Sequence, residues 1–362
     1  MRSDALAKVT LCVRRLVLGS RSLLTLPSPD VQFSEYKRGA QSYTIANVNY
    51  GQIFTDTTCN ISVISHQRLI PHVSWQYHYG EVLDDHQNFF LDGTLKTGAP
   101  LAFVKGTVLS LLTGGSGNYN YYHWLFDVLP RLFIVQKALD LHDPYIKYFV
   151  PSLRYPFQRQ TLAALGISME QCIESVTTNH LKAKALLAVS HPNPEPHDNQ
   201  CWIVEELRAR FLGHQAEIPN SSFIYITRSD AVHRRLLVNE QELLESLKPL
   251  GFHVYCLSAL SFAEQIHLFS QAKIIVGVHG AGMANLAFAT AGACVFELFS
   301  ELYQPDMYEK LSICLNVEYH KIVCQAAKSP DAQTANIFVS EQQLQFICKR
   351  ALELNIFSRH SQ

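Results

Sequence analysis

No run of apolar residues in this chain is long enough to cross a bilayer. No C-x-x-C pair occurs, and the nine cysteines follow no regular spacing. That argues against a zinc ribbon and against a small disulfide framework. Neither sign of charge dominates: 30 Lys and Arg stand against 31 Asp and Glu, a formal net charge of −1. A nucleic-acid-coating surface is therefore not expected, nor is a disordered acidic or basic tail. Repeats and low-complexity tracts are missing. So are two glycine signatures, G-x-G-x-x-G and G-K-[ST], which removes the usual fingerprints of dinucleotide and P-loop sites. No D-x-D triplet sits beside a nucleotide-type turn. The acidic "DDH" at 84–86 lies in a β-rich region and reads as a loop, so no metal site is expected.

What remains is a globular composition, 48% hydrophobic over 362 residues, which suits two domains better than one. The cysteines mostly sit in apolar runs, as Cys256 and Cys294 do, and read as buried free thiols of a reducing, cytoplasmic compartment. The opening "MRSDALAKVTLCVRRLVLGSRSLL" is basic and partly apolar, but Arg14 and Arg15 split its apolar block, unlike a signal peptide. It is a candidate for a locally packed helix or for peripheral contact with the inner face of a membrane.

Three zones follow. Residues 40 to 115, with runs such as "NISVISHQRLI", read as strands. Residues 118 to 215 mix helix and strand, and the proline-bearing "SHPNPEPHDNQ" (190–200) marks the domain junction. From 221 to 299, strand and helix alternate with short connections: "SSFIYITR", "NEQELLESLKPLGF", "HVYCL", "SFAEQIHLFSQA", "KIIVGV", then "ACVFELF". Asn239 and Ser261 are the expected N-caps, the second in an S-x-x-E box with Glu264. Alternation of this kind predicts an α/β fold with a parallel sheet.

In such sheets ligands bind beyond the carboxyl ends of strands. "HGAGMAN" (279–285) falls at one such end. Gly280, Ala281 and Gly282 lack bulk, and amides at the start of the following helix favour an anion, phosphate above all. His279 is placed to donate to it. Glu297, at the end of the next strand, is expected to accept from a ribose diol. Arg228, Arg234 and Arg235 leave the first strand of the same sheet and offer forks for diphosphate oxygens, with nothing to choose between the last two.

A second unusual stretch, "GGSGNYNYYHWLFDVLPRL" (114–132), carries His123 and Asp127 one helical turn apart. A carboxylate beside an imidazole is the arrangement a general base needs, and either residue could be that base. Tyr122 and Trp124 add flat faces suited to stacking on sugar rings.

At these residues the chain resembles glycosyltransferase family 61. The resemblance rests on "NYYHWLFDVLPRL", "YITRSDAVHRRLLVNEQEL", "SFAEQIHLFSQAKIIVGVHGAGMANLAF" and "VFEL", in that order, over roughly residues 100 to 300. It implies a GT-B-like α/β fold, two Rossmann-like domains facing across a cleft. The implied layout is a basic segment 1–40, an acceptor-side domain 41–205, a nucleotide-sugar-binding domain 206–335, and a closing helix 336–362 packing back on the first domain. It also implies an inverting, metal-independent transfer from a nucleotide sugar, UDP-linked, to a glycan acceptor, with no cofactor. Arg228, His279, Gly280 and Glu297 stand where donor-binding residues fall, with Asn285 beside them; His123 and Asp127 stand in the active-site motif. The bacterial, capsular-polysaccharide branch is the nearer likeness. Two other classes fit the residues: a non-catalytic nucleotide- or glycan-binding protein, and a redox enzyme on the same sheet.

Overall fold

The computed structural model describes residues 21–25, 27–56, 60–74, 77–78, 81–82, 85–91, 101–113, 120–139, 143–193, 200–213, 218–219, 221–231, 235–327, 329 and 331–360. The chain divides into two compact units, Met1–Pro196 and His197–Gln362.

The early Val/Ile/Tyr-rich zone of the first unit is rich in strand among its described residues, with β1 (Val31–Arg38), β2 (Gln41–Asn49), β3 (Gln52–Thr55) and β4 (Ile61–Ser65). β1 and β2 form a hairpin whose register runs from Val31↔Val48 to Arg38↔Gln41, turning at Gly39 with φ 61°. Three more strands, β5 (Ala102–Ser110), β6 (Lys147–Val150) and β7 (Cys172–Glu174), lead to β8 (His180–Val189). All belong to one mixed sheet. β8, β5, β6 and β7 are parallel neighbours, while β2 and β3 add antiparallel to the other edge of β8. The parallel part of this sheet fits the α/β fold that was expected, and the early strands extend it with an antiparallel part. Hairpin-length connections among the early strands permit only antiparallel pairing. The sheet's core is aliphatic, with Val48, Ile53, Val63, Val108, Leu181 and Leu186 fully buried.

The second unit is the α/β repeat read from the sequence. β9 (Phe223–Thr227), β10 (His253–Cys256), β11 (Ile274–Val278), β12 (Cys294–Ser300) and β13 (Glu318–Ala326) pair in the order β10-β9-β11-β12-β13, all parallel. The two-residue β14 (Ile337–Phe338) closes the edge antiparallel to β13. β11 and β12 are buried at every position, as strands covered on both faces must be. Ser261 caps its helix, Phe262–Gln271, through the Glu264 amide. The last helix, Glu341–His360, joins the core of the second unit through Ile347 and Ala351.

Cysteine usage differs from the expectation of free thiols only. Cys201 and Cys314 are joined in a disulfide, their Cα atoms 5.4 Å apart across 113 residues of sequence. The bond ties the helix Cys201–Phe211 to the helix Met307–Leu315. Of the two named as buried thiols, Cys294 is free and buried, while Cys256 is free but only partly buried; Cys324 is a further buried free thiol. No helix among the described residues is long and apolar enough to cross a membrane. The basic segment 1–20 lies outside the described residues.

Candidate functional site

In the first unit the site grows from one helix, 121–138, that follows β5. Asn120 caps it by accepting from the Tyr122 amide at 2.9 Å. From Trp124 to Val128 the helix widens into a π turn, with the Leu129 amide donating to the Trp124 carbonyl. Pro130 has no N–H to return to the carbonyl four residues back, so the Phe126 oxygen is released from the ladder. Single π turns of this kind recur at functional sites.

On this turn His123 and Asp127 meet, Nδ1 to Oδ2 at 2.6 Å, with side chains 16% and 7% exposed. The other carboxylate oxygen of Asp127 accepts from Asn193 Nδ2 at 2.8 Å, and the same amide nitrogen donates to the released Phe126 oxygen at 3.1 Å. His191 Nε2 lies 3.8 Å from Asp127 Oδ1. Beneath them the buried Arg131 donates from Nε to the Asp127 carbonyl at 3.2 Å and from Nη1 to the Val189 carbonyl at 2.5 Å. Burial alone would raise the Asp127 carboxyl. The neighbouring His191 and His123, with hydrogen bonds from His123 and Asn193, outweigh it and hold the group at about 2. Burial also drives His191 down to about 4 and Arg131 down to about 10, Asp127 opposing both. Asp127 is thus a fixed anion beside the His123 ring.

Tyr122 and Trp124 do not present stacking faces. Trp124 is fully buried and gives its indole N–H to Thr161 Oγ1 at 2.8 Å; Tyr122 is 3% exposed and stacks on Phe126 at 5.0 Å. A helix apolar on every side is core, and its aromatics go with it. The glycine-rich approach at 114–119 lies outside the described residues.

In the second unit the predicted rim assembles at the carboxyl ends of β9 and β11. The Arg228 guanidinium lies directly over Gly280: a Cβ built on that glycine would sit 1.8 Å from Nη1. Gly280 itself is extended, with φ 171°, so the requirement is for space and not for backbone freedom. The Ala281 and Gly282 amides precede the first bond of the following 3₁₀ turn, which runs from the Met283 amide to the Gly280 carbonyl at 3.0 Å. That carbonyl also accepts from the Tyr308 hydroxyl at 3.0 Å.

His279 is held from three sides. Its Nδ1 meets Glu297 Oε1 at 2.6 Å, its amide donates to the Leu298 carbonyl at 2.9 Å, and its ring stacks on Phe299 at 4.9 Å. Tyr303 stands edge-on to the ring at 5.7 Å and carries the Arg235 guanidinium 5.3 Å over its opposite surroundings. Burial pushes the Tyr308 hydroxyl well up, Glu297 adding to it and Arg235 and Arg228 opposing; one tyrosine therefore senses both arginines and the acid. Arg234 lies outside the described residues.

Three expectations change here. Glu297 is fully buried, and both its oxygens are engaged, one by His279 and the other by the Tyr319 hydroxyl. It orients the imidazole and does not face a ribose. Asn285 is fully buried and donates to Gln265 Oε1 at 2.9 Å and to the Gly282 carbonyl at 3.1 Å, fixing the turn from behind. Gly282 makes room for Leu257, whose Cδ1 lies 2.8 Å from where a Cβ would stand. Sequence reasoning missed Asn193, His191, Arg131, Tyr308 and Tyr319. Only the pairing of Arg131 with Asp127, four residues apart, carried a signal.

Cys294, Glu318 and His320 bring potential metal ligands together among the described residues. They are already satisfied by protein: Arg350 spans both Glu318 oxygens at 2.9 and 2.8 Å, His320 takes one at 2.7 Å, and burial raises the Cys294 thiol to about 12.

Residues 121–296 match the family model described as Glycosyltransferase 61. Over 254 residues the chain is 35% identical to the protein O-linked-mannose beta-1,4-N-acetylglucosaminyltransferase 2 of Xenopus tropicalis, covering 62% of this chain and 44% of that protein. It is 30% identical over 120 residues to the EGF domain-specific O-linked N-acetylglucosamine transferase of Drosophila melanogaster, covering 31% of this chain and 22% of that one. Against the beta-1,2-xylosyltransferase of Arabidopsis thaliana it is 28% identical over 97 residues, 23% of this chain and 18% of that one. The chain thus spans less than half the length of each of these relatives. Through the segment that holds the His123 pair, Arg228 and the His279 turn, the chain is similar to glycosyltransferase family 61.

Proposed function

We propose that the chain is an inverting glycosyltransferase of GT-B type, moving a sugar from a UDP-linked donor to a hydroxyl of a glycan without a metal ion. The observation that carries this reading is a pair of imidazoles, His123 and His279, each with Nδ1 tied to a buried carboxylate at 2.6 Å. With Nδ1 committed to Asp127, Nε2 is the basic nitrogen of the His123 ring. His123 Nε2 takes the proton of the acceptor hydroxyl. The resulting oxygen attacks the anomeric carbon, and the bond from that carbon to the diphosphate breaks with its electron pair passing to the phosphate. Charge growing there is met by Arg228, Arg235, the 281–282 amides and His279, a set of fixed donors suited to a developing anion. These cations fill the place a divalent ion takes elsewhere, which supports metal independence. Among donors, UDP-N-acetylglucosamine is the first choice, because a match over 254 residues is to an N-acetylglucosaminyltransferase. The product serves cell-surface or capsular polysaccharide synthesis on this reading.

The purified chain should release UDP from one member of a nucleotide-sugar panel when given a hydroxyl-bearing glycan acceptor, with inverted anomeric configuration by NMR. Absence of both donor binding and UDP release across the panel sinks the proposal.

A further inference from the structure

The 190–193 segment reads as a linker in the sequence, yet its last residue reaches the centre of the first-unit site. Asn193 is 2% exposed and 66 residues from Asp127 in sequence. Both hydrogens of its Nδ2 are used, one on Asp127 Oδ1 at 2.8 Å and one on the Phe126 carbonyl at 3.1 Å. This fixes the amide's orientation, since Asp127 and Phe126 present only acceptors. It leaves Asn193 Oδ1 buried with no hydrogen-bond partner. A buried amide oxygen without a partner is destabilising, so the arrangement is explained only by what the nitrogen does. Arg131 secures the geometry from below: Nη1 bonds the Val189 and Ser190 carbonyls at 2.5 and 3.4 Å, at the root of the segment, and Nε bonds the Asp127 carbonyl. His191 braces the turn from within, its Nδ1 donating to the Asn193 carbonyl at 2.7 Å.

Resting on the transferase reading, we infer that Asn193 is a positioning residue: its amide holds Asp127 as a carboxylate so that His123 keeps its proton on Nδ1 and meets the acceptor with a basic Nε2. Among the described residues, the charged and titratable groups near His123 include Asp127 and Arg131 on its own helix, His191 and the Asn193 amide from the 190–193 turn, and the Tyr122 ring edge-on at 5.3 Å. Of these, only Asn193 donates to the carboxylate oxygen that His123 does not use. Without that donor the carboxylate loses the bond that fixes its plane, and Oδ2 is free to turn away from His123 Nδ1. The ring then divides between its two tautomers, and the fraction with a basic Nε2 falls.

The test compares Asn193→Leu, close in shape but with no donor, with Asn193→Ser, which restores a single hydroxyl donor. In Asn193→Leu we expect kcat to fall roughly ten- to a hundredfold, with the donor KM unchanged. Asn193→Ser should recover part of the rate. Nitrogen-15 NMR of histidine-labelled protein reads the tautomer without any turnover: wild type should show His123 protonated at Nδ1, and the leucine variant should show a mixture of the two tautomers. A leucine variant that keeps the wild-type tautomer and rate overturns the inference. A wild type with the expected tautomer and no transferase activity overturns the proposed function while leaving the positioning role standing. Should the leucine variant not fold, wild-type-like tautomer and rate in Asn193→Gly, which also removes the donor, overturn the inference equally.

Discussion

The Arg228 guanidinium occupies the space that a side chain on Gly280 would need, Nη1 lying 1.8 Å from the position of a Cβ. Backbone and cation are therefore packed as one surface, and the phosphate-binding role proposed for each depends on the other. Gly280→Ala must push the guanidinium away while leaving a backbone at φ 171° that alanine adopts without strain. We expect a UDP affinity at least about tenfold weaker, close to the effect of Arg228→Ala, with little change in melting temperature. Isothermal calorimetry measures it. Wild-type UDP affinity in Gly280→Ala would mean that the two groups do not share a ligand.

Glu297 is buried among groups that all donate to it, and a substitution there reaches the donor turn through His279. In Glu297→Gln the shape survives, but an amide N–H now faces either the imidazole or the Tyr319 hydroxyl. Leaving one buried donor unmatched costs about 1–3 kcal/mol. Stability in urea should fall by that amount, and kcat should fall about a hundredfold or more if His279 meets the leaving phosphate. Normal turnover in this variant contradicts the assignment of His279.

How far the sequence reaches depends on the distance over which each contact forms. His123 and Asp127 are one turn apart, and their pairing is legible from spacing alone. The alternation of β9 to β12 with helices is equally legible, as is the Ser261–Glu264 box, because each is set by neighbours in the chain. Asn239 begins its helix as expected but makes no side-chain cap; its amide bonds Glu242 and the Val339 carbonyl, 100 residues away. Glu297 was read as facing a ligand because its buried partners come from elsewhere: β11 ends in His279, and the β12–β13 register brings Tyr319 beside it. Asn193 and the Cys201–Cys314 bond depend on tertiary placement that no local pattern encodes. Trp124 and Tyr122 carry the right chemistry for sugar stacking, and only the packing of their helix shows that they are core.

The Cys201–Cys314 bond closes a loop of 113 residues that contains β9 to β12 and the whole His279 turn. On the chain-entropy view, a loop of that size contributes up to about 5 kcal/mol. Cys314→Ser, or reduction of the wild type, should lower the melting temperature by several degrees, and the two effects should coincide. Non-reducing peptide mapping of protein purified under alkylating conditions reads the bond directly. Its recovery there points to an oxidising compartment, whereas two alkylated thiols return the chain to the cytoplasmic side.

His191 sets the acid sensitivity of the first unit. Unfolded, an imidazole takes its proton near 6.5; here burial, opposed by Asp127, holds it at about 4. Between those values the unfolded chain binds a proton that the native state refuses, so stability present above 6.5 is lost as the pH falls toward 4. The gap corresponds to about 3 kcal/mol. Asp127 acts in a lower window: its depressed carboxyl, about 2 folded against 3.8 unfolded, stabilises the fold above 4 and gives that up only below it. Urea-unfolding free energies taken from pH 7 to pH 4 should therefore fall more steeply for wild type than for His191→Gln, which cannot titrate but can still donate to the Asn193 carbonyl. Below pH 4 the two should run together. Parallel lines between pH 7 and 4 would show that His191 is already charged in the folded protein, and the buried cluster around Asp127 would then need a different account of its charge.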